Sequence, residues 1–112
     1  MNRKYRLTSS TDFKRVRRTG KSYAHPLAIL VVSPNDLTIS RFGVTAGRVL
    51  GNAVRRNRAK RRLREALRRF MPRIASGQDI VLIARPALNE AKWSDVLNAL
   101  TTLLEHAGLL EE

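Results

Sequence analysis

The amino-acid sequence predicts a small α/β (α+β) domain, in which helical and strand patterns alternate along 112 residues. Apolar residues recur every three or four positions in residues 53–70 and 93–107, which is the spacing of an amphipathic helix. Two short apolar runs, LAILVVS at 27–33 and IVLIAR at 80–85, have the length and composition of buried strands. The length suits one domain that spans residues 1–112.

The first part of the chain predicts a further helix and a hairpin. Residues 9–20, SSTDFKRVRRTG, begin with a capping-box spacing and end at a glycine, which predicts a short helix. The SPND segment at 33–36 is typical of a turn, and TISRFGVTA at 38–46 carries alternate apolar residues. We therefore expect 38–46 to pair with 27–33 as the second arm of a hairpin.

The stretch GNAVRRNRAKRRLREALRRF, residues 51–70, predicts a strongly basic helix with Asn52 as its N-cap and Pro72 just past its end. One stripe of this helix is apolar and must face a core: Ala59, Leu63, Ala66, Leu67 and Phe70. Two further stripes are polar or basic: Asn57, Arg61, Arg64 and Arg68 form one, and Arg58, Arg62 and Arg69 form the other. Like charges at this spacing repel by roughly 0.2–0.5 kcal/mol per pair, so an anion laid along the helix would stabilise it.

The charge distribution indicates a polyanionic partner. The chain has a net charge of +13, and 17 of its 22 basic residues are arginines. Residues 1–73 carry +17, whereas residues 74–112 carry −4. Since solubility alone would not confine the excess to two thirds of the chain, we expect nucleic acid as the partner.

The residues for independent catalysis are missing from the sequence. There is no cysteine, and His25 and His106 stand apart from any pattern of nucleophile, base and acid. Asp36 and Asp79 lie near strand ends without an acidic neighbour that could help to hold a metal. The longest apolar run, LAILVV, is too short to span a bilayer, so we expect a soluble, cytoplasmic protein without a membrane partner.

The segment GNAVRRNRAKRRLREAL resembles the signature helix of the protein subunit of bacterial ribonuclease P, a Gly-x-Ala-x-x-Arg-Asn-Arg-x-Lys-Arg-x-x-Arg pattern. The segments RLTSSTDFKRV and RFGVTAGRVLG before it, and DIVLIAR after it, agree with that family in the same order. The resemblance covers nearly the whole chain. It implies a two-layer sandwich with a small mixed sheet and three helices, in which the basic helix makes a left-handed strand–helix–strand crossover.

The resemblance also implies the function. The protein is expected to bind a large catalytic RNA, and the pair is expected to remove the 5′ leader from precursor tRNA. The RNA is expected to hold the active site and its Mg²⁺, so the protein alone should be inactive, with no cofactor of its own and no obligate protein partner.

The expected contacts form two groups. RNA-binding is expected at Arg48, Arg55, Arg56, Asn57, Arg58, Lys60, Arg61, Arg62, Arg64 and Arg68. A leader-binding cleft between the first helix and the sheet is expected at Phe13, Lys14, Arg17 and Val31. Arg17 and Val31 stand where relatives often carry aromatic residues, so the leader is expected to be held more by charge than by stacking.

Two alternatives remain open at this stage. Phe13 could be a core residue instead of a stacking surface for the leader. The chain could also be a basic ribosomal or RNA-chaperone-like protein with no role in processing. Composition does not separate that second reading from a ribonuclease P subunit, but the signature helix and its flanks favour the subunit.

Overall fold

The computed structural model describes residues 3–111, which form three α-helices and a four-stranded mixed sheet. The helices are α1 (Ser10–Thr19), α2 (Ala53–Phe70) and α3 (Trp93–His106). The strands are β1 (Lys21–Ala24), β2 (Ala28–Pro34), β3 (Arg41–Thr45) and β4 (Gln78–Ala84). The α+β fold class and the three predicted helices are confirmed. No helix in this described range is long and apolar enough to cross a membrane.

The strands lie in the order β1-β2-β4-β3, with β3 parallel to β4 and the other neighbours antiparallel. The predicted hairpin of 27–33 with 38–46 is wrong, because β4 lies between β2 and β3. β2 forms a hairpin with β1 instead, a strand that the sequence pattern did not reveal because most of its residues are exposed. β2 and β4 carry apolar residues on both faces, which suits the two central positions of the sheet.

Helix α2 connects β3 to β4 and so forms the expected crossover between parallel strands, whose left hand stays a prediction. The Asn52 side chain caps the helix as predicted, accepting a hydrogen bond from the Arg55 backbone N–H at 3.0 Å. The predicted apolar stripe is buried throughout: Ala59, Leu63, Ala66, Leu67 and Phe70. Together with α3 it covers one face of the sheet, and each large side chain buried there contributes about 1.5–3 kcal/mol.

Helix α1 packs on the opposite face of the sheet. Its one buried residue, Val16, belongs to a small apolar cluster that is separate from the main core. This cluster comprises Leu7, Val16, Val31 and Val81. Gly20 ends the helix as predicted, but its φ of −82° is accessible to any residue. Glycine is needed there because a Cβ would lie 2.5 Å from the Val16 carbonyl oxygen and 2.7 Å from that of Val32.

Candidate nucleic-acid interface

A cleft opens between α1, the edge strand β3 and α2. It consists of two adjoining hollows of about 240 and 340 Å³, which share Thr8, Phe13, Val44 and Lys60. The segment before α1 covers the start of β3, since the Leu7 N–H donates to the Phe42 carbonyl at 2.8 Å. The cleft therefore has walls from three separate parts of the chain.

Phe13 is the aromatic side chain common to both hollows. It is half-buried and packs over Gly43, where a Cβ would lie 2.5 Å from the Phe13 Cζ atom. Gly43 thus leaves the space that the ring occupies. Phe13 both contacts the apolar cluster under α1 and lines the open cleft, so the position is compatible with packing and with stacking.

The side chains that line the cleft are strongly basic. Five cations do so: Arg6, Lys14, Arg17, Lys60 and Arg64. No carboxylate of residues 3–111 lines either hollow. The pKa of Arg64 is lowered from its ordinary value, first by partial burial and then by the nearby charge of Arg6. A phosphate bound between these side chains would relieve the repulsion.

The structure brings most of the predicted cleft residues together, with one exception and one addition. Phe13, Lys14 and Arg17 lie in the cleft, whereas Val31 is 2% exposed beneath α1 and presents no surface there. Arg6 was not predicted, because its place depends on the pairing of the N-terminal segment with β3. The basic run at the start of the sequence was its one local signal.

Arg62 on α2 is committed to an intramolecular role. Its guanidinium donates to the backbone carbonyls of Leu88 and Ala91, the second at 2.8 Å, and lies 5.9 Å from the centre of the Trp93 ring. Partial burial lowers its pKa, with a further contribution from Arg58. Arg62 therefore holds the loop before α3 against α2, although the sequence placed it among the RNA contacts.

Arg55 and Arg58 lie on the same flank of α2. Arg55 donates to the Leu50 carbonyl at 2.9 Å and forms an ion pair with Glu90 at 2.7 Å. Arg58 reaches the backbone carbonyl of Asn89 at 3.5 Å. Periodicity put Arg58 on a surface stripe, and Arg55 was expected to bind RNA, but the sequence did not show that the loop at 86–91 packs beside them.

The flank of α2 between the cleft and that loop remains exposed. It carries Asn57, Arg61 and Arg68, and Arg68 also forms an exposed ion pair with Glu65 at 3.0 Å. Arg61 makes no hydrogen bond or ion pair within the described chain. Arg48 is exposed just before α2, and Arg56, in the first turn of the helix, donates to the Gly51 carbonyl at 3.0 Å. On this flank Arg61 therefore has no internal partner within residues 3–111, and the exposed ion pair of Arg68 leaves that side chain accessible to an external anion.

Substitution of the neighbouring residues Arg61 and Arg62 should affect different properties, RNA binding for Arg61 and stability for Arg62. Arg61→Ala should lower the slope of log affinity against log salt for a structured RNA by roughly one, because one phosphate contact releases about 0.7–0.9 counterion. Arg62→Ala should leave that slope near the wild-type value and lower the free energy of unfolding by about 1.5–3 kcal/mol, since its bonds to two carbonyls are lost.

Salt-dependent binding and urea denaturation of both variants test this assignment. Each variant removes one positive charge, so each is the control for the other. An unchanged slope for a folded Arg61→Ala protein would exclude a phosphate contact by Arg61.

A buried carboxylate beneath α1 is the main polar feature that sequence reasoning missed. Asp79 on β4 is fully buried, yet it accepts hydrogen bonds from Arg41 at 2.8 and 2.9 Å, from Asn35 at 3.0 Å and from Arg15. Burial alone would raise the pKa of Asp79, but the hydrogen bonds from Arg41, Asn35 and Arg15 outweigh it and lower the pKa. The group stays ionised at neutral pH as part of a structural cluster.

The carboxylates of the described chain do not fit a divalent-metal site. Residues 3–111 contain no group of three acidic, histidine or cysteine side chains placed to hold an ion. Both oxygens of Asp79 are occupied by donors, and Glu90 and Glu65 each pair with an arginine. Asp79, Glu90 and Glu65 are therefore already engaged by donors of the chain itself.

Comparison with known proteins identifies the family. The family model described as Ribonuclease P matches residues 1–108. The chain belongs to the ribonuclease P protein family. The ribonuclease P protein component of Symbiobacterium thermophilum is 44% identical over 112 residues, which cover 99% of this chain and 97% of that protein. That of Herpetosiphon aurantiacus is 40% identical over 97% of this chain and 89% of its own length.

Solved structures of ribonuclease P proteins have the same fold. The Staphylococcus aureus protein superposes with a TM-score of 0.85 at 30% identity, over 96% of this chain and 98% of that one. The Thermotoga maritima protein gives a TM-score of 0.80 at 34% identity, over 90% and 96% of the two chains. Membership in the ribonuclease P family makes this chain an RNA-binding component of a tRNA-processing ribonucleoprotein, and the ribosomal or chaperone-like alternative is not favoured.

Proposed function

We propose that this ribonuclease P protein binds a catalytic RNA with one side of α2 and holds the 5′ leader of precursor tRNA in the cleft beside α1. The observation that supports this division is the cleft itself, in which five cations surround one half-buried aromatic ring without a carboxylate among the described lining residues. Single-stranded nucleic acid binds to such a combination of basic groove and stacking surface.

The division follows the circumference of α2. At about 100° per residue, Lys60 and Arg64 project to the cleft side, and Arg61 lies further round, on the exposed flank with Asn57 and Arg68. A leader in the cleft and a structured RNA on the exposed flank would therefore contact adjacent faces of one helix. The protein would bring the substrate leader and the catalytic RNA together through α2.

Hydrolysis is assigned to the RNA partner, within a cytoplasmic ribonucleoprotein. Mg²⁺ would be held mainly by that RNA, since the described carboxylates of the protein are occupied or dispersed. The protein's own contribution would be to neutralise phosphates and to hold the leader beside α1, which raises affinity for substrates that carry a leader.

Replacing the aromatic ring tests the leader site. Phe13→Ala should weaken binding of precursor tRNA to the holoenzyme by about 5- to 150-fold, since a stacked base contributes about 1–3 kcal/mol. Binding of mature tRNA, which lacks the leader, should be unchanged. Dissociation constants for both RNAs, measured at a temperature where wild type and variant are equally folded, give the answer.

A second variant separates stacking from packing. Phe13→Leu keeps apolar volume over Gly43 but removes the aromatic face, so it should retain stability and still lose precursor affinity. Equal losses for precursor and mature tRNA would mean that Phe13 is only a core residue and that the leader lies elsewhere.

A further inference from the structure

We propose that the ion cluster of Arg15, Asp79 and Arg41 positions α1 and thereby sets the geometry of the cleft on the other flank of that helix. The inference rests on the proposed binding of the leader in this cleft. Arg15 and Asp79 would act as positioning residues, without contact to RNA.

The cluster links α1 to the two neighbouring strands at one end of the sheet. Asp79 on β4 is fully buried, and Arg41 on β3 contacts both of its oxygens, at 2.9 Å through Nε and at 2.8 Å through a terminal nitrogen. From α1, Arg15 donates a hydrogen bond to Asp79. Asp12, one turn earlier in the same helix, has its carboxylate 4.0 Å from Arg41. One charged side chain of the helix is thus held by a buried carboxylate of the sheet.

The cluster and the cleft lie on opposite flanks of α1. At about 100° per residue, Arg15 and Arg17 are about 160° apart around the helix axis. Phe13 and Arg17 line the cleft, whereas Arg15 faces Asp79. Val16 points down between these flanks into the sheet. A roll of α1 about its axis would therefore move Phe13 and Arg17 relative to β3.

Apolar packing alone restrains such a roll weakly. Val16 is the one buried side chain of α1, and its cluster contains three other buried residues. Apolar contacts are non-directional, whereas a charged hydrogen bond to a fixed carboxylate requires a defined direction. The Arg15–Asp79 contact is a directional restraint on the flank opposite the cleft, and it is shorter than the other polar contacts of α1 with the sheet, Asp12–Arg41 at 4.0 Å and Thr19–Ser33 at 3.4 Å.

Arg15→Met tests the proposal without breaking the cluster on the sheet, since Asp79 keeps its hydrogen bonds from Arg41 and Asn35. We expect the ratio of precursor to mature tRNA affinity of the holoenzyme to fall by about 3- to 10-fold, less than for removal of the stacking ring. The salt slope should not change. The matched control is Arg18→Met, which removes an equal charge from an exposed position of α1 and should keep the ratio within about twofold.

Each result separates this inference from the leader site. A drop of about one in the salt slope for Arg15→Met would mean a direct phosphate contact and would overturn positioning. If the ratio of precursor to mature tRNA affinity falls for Phe13→Ala but is unchanged for Arg15→Met, the positioning inference is overturned and the leader site still stands. Unchanged ratios for both variants would reject the leader site itself.

Arg15→Lys keeps the test decisive if Arg15→Met does not fold. Lysine retains the positive charge and a hydrogen-bond donor. If Arg15 positions α1, the Arg15→Lys variant should therefore have a ratio of precursor to mature tRNA affinity close to that of the wild type. A ratio for Arg15→Lys as low as that expected for Arg15→Met, in a stably folded protein, would contradict the positioning role.

Discussion

Precursor tRNA incubated with the purified chain alone is expected to keep its 5′ leader. Within residues 3–111 the acidic groups are engaged by arginines or dispersed, and no cluster is placed to hold a metal ion. The catalytic RNA alone should cleave poorly at low Mg²⁺, because few counterions then offset the repulsion between the two RNAs. Adding the protein, with a net charge of +13, should restore cleavage at the mature 5′ end.

Three parallel reactions measure this expectation: protein alone, RNA alone, and both together. The protein must be freed of co-purified RNA by denaturing chromatography before refolding. Correct cleavage by that RNA-free preparation would overturn the assignment of hydrolysis to the RNA. Equal rates with and without protein at low Mg²⁺ would overturn the proposed support of substrate binding.

Asp79→Ala is expected to lower the free energy of unfolding by about 3 kcal/mol at pH 7. Removing one partner of a buried ion pair typically costs 3–5 kcal/mol, and the lower end applies because the side chains of Arg15 and Arg41 remain 33% and 27% exposed. The variant leaves two guanidinium groups without their shared acceptor. Urea denaturation of the wild type and the variant measures the difference.

The effect should depend on pH in a defined direction. Because the pKa of Asp79 is lower in the folded protein than its ordinary value of 3.8, its contribution is fully present above that value. The contribution is lost as pH falls through the folded pKa, so the difference between wild type and Asp79→Ala should shrink below about pH 4. A difference that stays constant down to pH 2 would show that ionisation of Asp79 does not stabilise the fold.

Glu65→Ala provides the matched control for the Asp79 variant. Glu65 also pairs with an arginine, but both side chains are more than half exposed. Such surface pairs contribute about 0–1 kcal/mol, so the control should be nearly neutral. A loss as large as that of Asp79→Ala would contradict the importance given to burial.

The local sequence pattern was sufficient to predict the three helices and the basic character of the nucleic-acid interface. The spacing of Leu63, Leu67 and Phe70 identified the buried side of α2, because a helix repeats every 3.6 residues whatever it packs against. The capping role of Asn52 was equally local. The order of motifs around the basic helix also carried the resemblance to the ribonuclease P family, which the comparisons confirm.

The pairing of the strands could not be predicted from the local sequence pattern. Alternation in β3 predicted a strand but did not identify its neighbour, and the insertion of β4 depends on contacts between distant parts of the chain. The same non-local pairing places Val31 under α1 and brings Arg6 beside Arg64.

The helices, the basic flank of α2 and the family could thus be predicted from residue spacing and composition. Which cations lack an internal partner could not, because that depends on the packing of distant segments. Arg61 and Arg62 are adjacent and alike in sequence, yet Arg62 meets the carbonyls of Leu88 and Ala91, whereas Arg61 faces solvent. The physical reason is that a guanidinium's role depends on which acceptors the fold brings within hydrogen-bond reach, and for Arg62 those acceptors lie more than twenty residues away along the chain.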